Sequence, residues 1–167
     1  MNDYVIRAER ADDTVAIAAL VALAFKGARH SDGSEPQIVE RLRRAGALTV
    51  SLVAEEGWDI LGHVAFSPVT IADGTEGWFG LGPVAVTPGR QREGIGAALV
   101  EAGLQRLHDN GASGCVVLGD PGYYQRFGFT HDARLAYPGP PADYFQCLKF
   151  DGPAPSGTVR YHPSFGG

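Results

Sequence analysis

Residues 78–118 restrict the possible folds more than any other part of the chain. The strand-like "WFGLGPVAV" runs into the glycine-rich "TPGRQREG", then a helical stretch over about 95–110, then the continuously apolar "CVVLG". Strand, helix, apolar strand is a βαβ unit, whose two strands lie parallel in one sheet. The first strand is interrupted near its middle. Pro83 has no N–H to give a ladder and Gly82 no side chain to pack, which predicts a disrupted sheet there.

The helix places Leu99, Val100, Gly103, Leu104 and Leu107 along one side, with Glu101, Gln105 and His108 opposite. Its start, "GRQREGIGAAL" at residues 89–99, leaves backbone N–H groups bare at the positive end of the helix dipole. An anion is the expected ligand. Two nucleotide motifs fail on single residues. The dinucleotide fingerprint needs a glycine where Leu99 stands, and the P-loop needs lysine and a hydroxyl where Ile95 and Gly96 stand.

Around this unit, "DYVIRAE" reads as a first strand, and Asp12 or Asp13 is placed to cap a helix over about 14–25. Ser34, with Gln37 three residues later and Pro36 in the first turn, predicts a second helix ending near Gly46. Leu48, Val50, Leu52 and Ala54 alternate with Thr49, Ser51, Val53 and Glu55, the pattern of a half-buried strand. "ILGHVAFSPVTI" reads as its antiparallel neighbour, with Pro68 at a bulge or an edge. Asp120 can cap "PGYYQRF", which Gly128 closes, and "FTHDARLAY", "DYFQCLKF" and "TVRYH" read as the remaining strands.

The expected architecture is α+β: a mixed, mostly antiparallel central sheet with a splayed parallel strand pair and flanking helices. At 167 residues, one domain over 1–167 is expected. No apolar run is long enough to cross a bilayer, and the chain opens without a basic segment followed by an apolar one, so the cytoplasm is the expected location. Cys115 and Cys147 form neither a disulfide framework nor a zinc site, and the five histidines are scattered, so no metal is expected. Nineteen acidic against fourteen basic residues, a net charge of −5, argue against broad nucleic-acid binding.

"QREGIG", at residues 91–96, matches the Gln/Arg-x-x-Gly-x-Gly/Ala pattern of the GNAT superfamily of acyl-CoA-dependent N-acyltransferases. "LGPVAVTPGRQREGIGAALVE" resembles that family's central cofactor segment, and "GDPGYYQRFGF" its next block. The order of elements is similar nearly throughout, and "GDPGYYQRFGF" with "GTVRYHP" resembles a bacterial subgroup of N-acetyltransferases. The resemblance implies an enzyme that moves an acetyl group from acetyl-CoA to a primary amine, without a metal.

It further implies that Gln91, Arg92, Glu93, Gly94, Ile95, Gly96 and Ala97 hold the pyrophosphate, with charge from Arg90 and Arg92 at the rim. Val84, Ala85 and Val86 would pair with the pantetheine arm where the strand splays, and a backbone N–H near Val86 would meet the oxyanion. Tyr124 matches the family's general acid, while Tyr123 reads as packing. Some members carry a glutamate where Gly80 stands, which leaves Glu76, Glu35, His63, Asp143 or a water as the base. The loops "KGARHSDG", "AYPGPPADYF" and "RYHPSF" would rim the acceptor side. The expected acceptor is a small-molecule or peptide amine, with neither membrane nor nucleic acid as partner and a homodimer allowed. A non-catalytic CoA-binding module, and an acetyltransferase acting on protein or tRNA, are the alternatives.

Overall fold

The structure, a computed structural model, describes residues 3–28 and 31–166. In chain order the elements are β1 (Val5–Ala8), α1 (Thr14–Phe25), α2 (Glu35–Arg44), β2 (Val50–Glu56), β3 (Asp59–Pro68), β4 (Thr70–Ile71) and β5 (Trp78–Val86). There follow α3 (Ile95–Asp109), β6 (Gly114–Leu118), α4 (Pro121–Tyr124), β7 (Leu135–Ala136), β8 (Phe145–Lys149) and β9 (Gly157–Arg160). A six-stranded sheet has the order β1-β2-β3-β5-β6-β8 and is antiparallel except between β5 and β6. The α+β architecture is therefore the one the sequence predicts, parallel pair included. A smaller sheet, β4-β9-β7, takes the last strand.

The alternation in β2 forms a strand, but not a half-buried one, since Val50 to Ala54 are all buried. Helices cover both faces. Leu52 and Ala54 pack with Leu99, Val100, Leu104 and Leu107 of α3, while Val53 packs with Ile17, Leu20 and Val21 of α1. Proline ends β3 rather than bulging it. Pro68 pairs with Phe79, and the chain then crosses to the smaller sheet as β4. "FTHDARLAY" contributes only a bridge from Thr130 to Cys147 and the two residues of β7.

Capping also departs in part from expectation. No side chain caps α1, because the Asp13 carboxylate turns back to accept from the Arg10 N–H at 2.6 Å and the Arg7 guanidinium at 2.7 Å. Ser34 leaves α2 uncapped by its side chain and instead donates to Asp32. Asp120 does cap α4, accepting from the Gly122 N–H at 2.9 Å.

The break in β5 governs the layout. β5 pairs with β6 only from Trp78 to Gly80, while β6 continues alongside β8 to Leu118. On the other side, the register against β3 slips between Val64 and Phe66, opposite Gly82 and Pro83. A strand with one extra residue bends, and β5 diverges from β6 beyond Gly80.

α3 crosses the sheet at Gly103, where a Cβ would lie 2.1 Å from Cε1 of the fully buried Phe66. This contact sets how closely α3 rests on β3. Gly103→Ala is expected to cost about 1–3 kcal/mol by overpacking, read as a lower urea midpoint at unchanged slope.

Candidate functional site

The loop 87–94 leads from β5 to α3 through three left-handed residues, Gly89 (φ 91°), Arg92 (φ 69°) and Gly94 (φ 86°). Glycine suits the first and the last because it has no Cβ to clash there. The first helical bond of α3 runs from the Ala98 N–H to Gly94 O at 3.0 Å. The amides of Ile95, Gly96 and Ala97 precede it and lack a helical acceptor. They open on a cavity of about 590 Å³ bordered by Val84, Val86, Arg90, Gln91, Arg92, Gly94, Tyr123 and Arg126 as well.

Backbone groups of β5 reach the same space. Thr87 donates across the β3 ladder to Leu61 O at 2.8 Å. By the alternation of an antiparallel pair, Ala85 also turns its N–H and C=O to β3, while those of Val84 and Val86 face the gap. The Gln91 side chain donates to Val86 O at 3.1 Å, which leaves the Val86 N–H open. The Ala85 side chain is buried toward α1, and neither Ala85 nor Glu93 borders the cavity.

Charge is distributed differently from the sequence expectation. Arg90 sits at the rim, but its guanidinium pairs with Glu56 at 3.0 Å and Glu93 at 3.0 Å. Arg92 and Arg126 form no ion pair among the described residues, and they remain the cations of this cavity. Arg126 lies 4.3 Å from the centroid of the Tyr123 ring and donates to Tyr123 O at 2.9 Å. Tyr123 and Arg126 are thus site residues that sequence reasoning missed. Their three-residue spacing on one helical turn was the available signal.

Beyond Val84 lies a second cavity of about 480 Å³, bordered by Leu81, Gly82, Pro83, Leu118 and Tyr124 together with residues of α1, α2 and the C-terminal segment. Val84, where β5 splays from β6, borders both spaces. Tyr124 is half-buried, and burial pushes its phenol up to about 12. Its ring rests on Gly119, where a Cβ would lie 2.4 Å from Cε2. Gly119 is pinned in turn, its N–H donating to Tyr144 O at 2.9 Å and its carbonyl accepting from Gln146 at 3.1 Å.

The four candidate bases separate cleanly. Glu35 borders the second cavity, while Glu76 and Asp143 border neither. His63 is fully buried with Val53 and Ala85 on either side of it in the sheet, its Nε2 2.8 Å from Ser51 Oγ and its Nδ1 unpartnered. Ser51 donates to Glu9, which pairs with Arg43 at 2.9 Å, so His63 belongs to a core network. At Gly80 the space above the strand is filled by Tyr161, whose Cε2 would lie 2.6 Å from a Cβ there. Residues 29 and 30, in the loop expected to rim the acceptor side, lie outside the described residues. Among the described residues no cluster of metal-ligating side chains occurs, and no helix is long and apolar enough to cross a membrane.

The profile of the Acetyltransferase (GNAT) domain family matches residues 5–131. The N-acetyltransferase YhbS of Escherichia coli (strain K12) is 38% identical over 169 residues, covering 96% of this chain and 97% of that protein. The crystal structure of YhbS in complex with CoA matches with a TM-score of 0.87 at 33% identity, over 99% of this chain and 93% of that one. A GNAT family acetyltransferase from Brucella melitensis, crystallised with acetyl-CoA, matches with a TM-score of 0.86 at 49% identity over 97% of each chain.

Burial lowers the His63 pKa to about 4, against about 6.5 for a free imidazole. The unfolded chain therefore takes up a proton that the folded one resists. The associated stability is complete above pH of about 6.5 and falls toward pH 4, by about 3 kcal/mol in all. Urea midpoints for His63→Asn are expected to fall less steeply than wild type across that window, and equal slopes would remove His63 from this account.

Proposed function

The chain belongs to the GNAT acetyltransferase family, and on that premise we propose that it transfers the acetyl group of acetyl-CoA to a primary amine by direct attack on the thioester. The observation that carries the reading is Val84, which borders both the cavity over the α3 amides and the second, tyrosine-bearing one, and we place the junction of cosubstrate and acceptor there. The relatives crystallised with acetyl-CoA and with CoA support the choice of cosubstrate.

The pyrophosphate sits against the amides of Ile95, Gly96 and Ala97, where the helix dipole and several donors act together. Arg92 and Arg126 add charge. The pantetheine arm runs along β5 as an added strand and pairs with the Val86 N–H and the Val84 carbonyl, which leaves the Val84 N–H for the thioester. Its amides thereby take the hydrogen bonds that β6 gives up. The thioester then lies at the junction.

A neutral amine nitrogen in the second cavity attacks the carbonyl carbon. The Val84 N–H, the outward amide of β5 that borders both cavities, donates to the developing oxyanion. As the C–S bond breaks, the Tyr124 hydroxyl donates to the departing sulfur. The phenol at about 12 stands well above a thiol near ~8.5, a gap of about 5 kcal/mol against full proton transfer. Tyr124 therefore acts as a hydrogen-bond donor in the transition state. The proton lost by the amine nitrogen on forming the amide is the one that finally balances the CoA thiol.

Tyr124→Phe is expected to lower kcat by about 10–100-fold while leaving CoA binding unchanged, measured by thiol release and by calorimetry. Unchanged turnover would remove the assignment. Gly119→Ala is expected to lower kcat as well, by displacing the ring. CoA at about 100 times its Kd should add about 2.7 kcal/mol of stability, and CoA binding without turnover on any amine would favour the non-catalytic reading.

A further inference from the structure

The second cavity has an unusual lining for a space of its size. Five aromatic side chains from four segments form its walls: Phe25 at the end of α1, Tyr124 on α4, Tyr137 after β7, and Tyr161 and Phe165 after β9. Their mutual geometry is tight. The Tyr161 ring meets Tyr137 edge-on at 5.3 Å between centroids and Phe165 at 5.3 Å. Gly80 lets the Tyr161 ring rest on the β5 backbone, and Tyr137 stacks in turn on the buried Phe145 at 5.4 Å.

Charge is nearly absent from this lining. Among the described residues Glu35 is the one ionisable group that is formally charged at neutral pH. It lies in the first turn of α2, and Ser31 Oγ donates to its Oε1 at 2.7 Å. Its Oε2 has no partner among the described residues. Arg160 and His162 border a neighbouring cavity, which shares Tyr137, Tyr161 and Phe165 with this one.

We propose that the acceptor is a monocationic arylalkylamine, with its ammonium received by Glu35, which takes up one of its protons to leave the neutral amine that attacks, and with its ring packed among Phe25, Tyr137, Tyr161 and Phe165. One carboxylate matches one ammonium, and the faces of the surrounding rings attract the same charge. A polyamine or an aminoglycoside brings further ammonium groups that must be desolvated with no second carboxylate to receive them. An amino acid brings a carboxylate into a space with no lining cation among the described residues, at the cost of burying an unpaired charge. The rings supply offset and edge-to-face surfaces for an aromatic body, and about 480 Å³ accommodates one beside the acyl group.

The inference rests on the acetyl-transfer reading above, and two measurements separate their failures. Thiol release is followed with 2-phenylethylamine, spermidine, kanamycin and phenylalanine as acceptors. Binding of 2-phenylethylamine to the CoA-saturated protein is measured by calorimetry. The wild type is expected to favour 2-phenylethylamine over the other three by about 10-fold or more in kcat/KM. Glu35→Gln is expected to raise its KM by about 10–100-fold with CoA binding unchanged, because an ionic hydrogen bond is lost. Turnover of spermidine, kanamycin or phenylalanine at equal or higher kcat/KM overturns the inference and leaves the acetyl-transfer reading standing. So does a Glu35→Gln variant with unaltered KM and unaltered 2-phenylethylamine binding. Glu35-dependent binding of 2-phenylethylamine without turnover of any amine supports the recognition site and counts against acetyl transfer. Absence of both binding and turnover overturns the inference.

Discussion

Beyond Gly80 the ladder between β5 and β6 stops, while β3 holds β5 on its other side through Val84, Ala85 and Val86. Pro83 offers no N–H, and the extra residue at Gly82 and Pro83 bends the strand away from its parallel neighbour. The unpaired edge would be a liability if it faced bulk solvent as a flat strand. Here it lies at the bottom of a cleft, where its outward amides and carbonyls suit an extended ligand with amides of its own. Val84, on this open edge, borders both cavities.

The grip on an anion is a local matter, set by how a helix begins. Three amides at the start of α3 have no helical acceptor, and the left-handed turn at Gly94 aims them into one space. Arginine count alone misjudges the charge available. Arg90 is committed to Glu56 on the β2–β3 hairpin and to Glu93 within the loop, where it braces the loop. Arg126, from a different segment, brings its guanidinium over the Tyr123 ring at the cavity wall.

The far cavity is built by long-range packing. Tyr124 is set by a glycine whose backbone is held by β8 and the turn before it, and Tyr161 fills the space above Gly80. Among the described residues, a raised phenol, a single carboxylate and a set of tilted rings make a space that is apolar and nearly uncharged. The buried His63 is chemically the most conspicuous base in the sequence. In the structure it lies in the sheet interior facing α1, tied to Ser51, and takes no part in this space.

How much of this was legible in advance depends on the range of the contacts involved. The alternation in residues 48–55, the helix over 95–110, the Asp120 cap and the break at Gly82 and Pro83 all follow from neighbours within a few positions, and the structure carries each of them. The second buried face of β2, the crossing of the chain at Pro68 into the smaller sheet, and the turned-back Asp13 depend on partners elsewhere in the chain, and pattern alone did not find them. The sequence by itself determined the helix start with its bare amides and the strand that splays, because backbone geometry over five or six residues decides both. Only the tertiary structure decided which arginines keep a free charge, that Glu35 rather than His63 borders the second cavity, and that aromatic rings wall it. Those outcomes rest on side chains brought together from distant segments, whose burial and pairing no local spacing encodes.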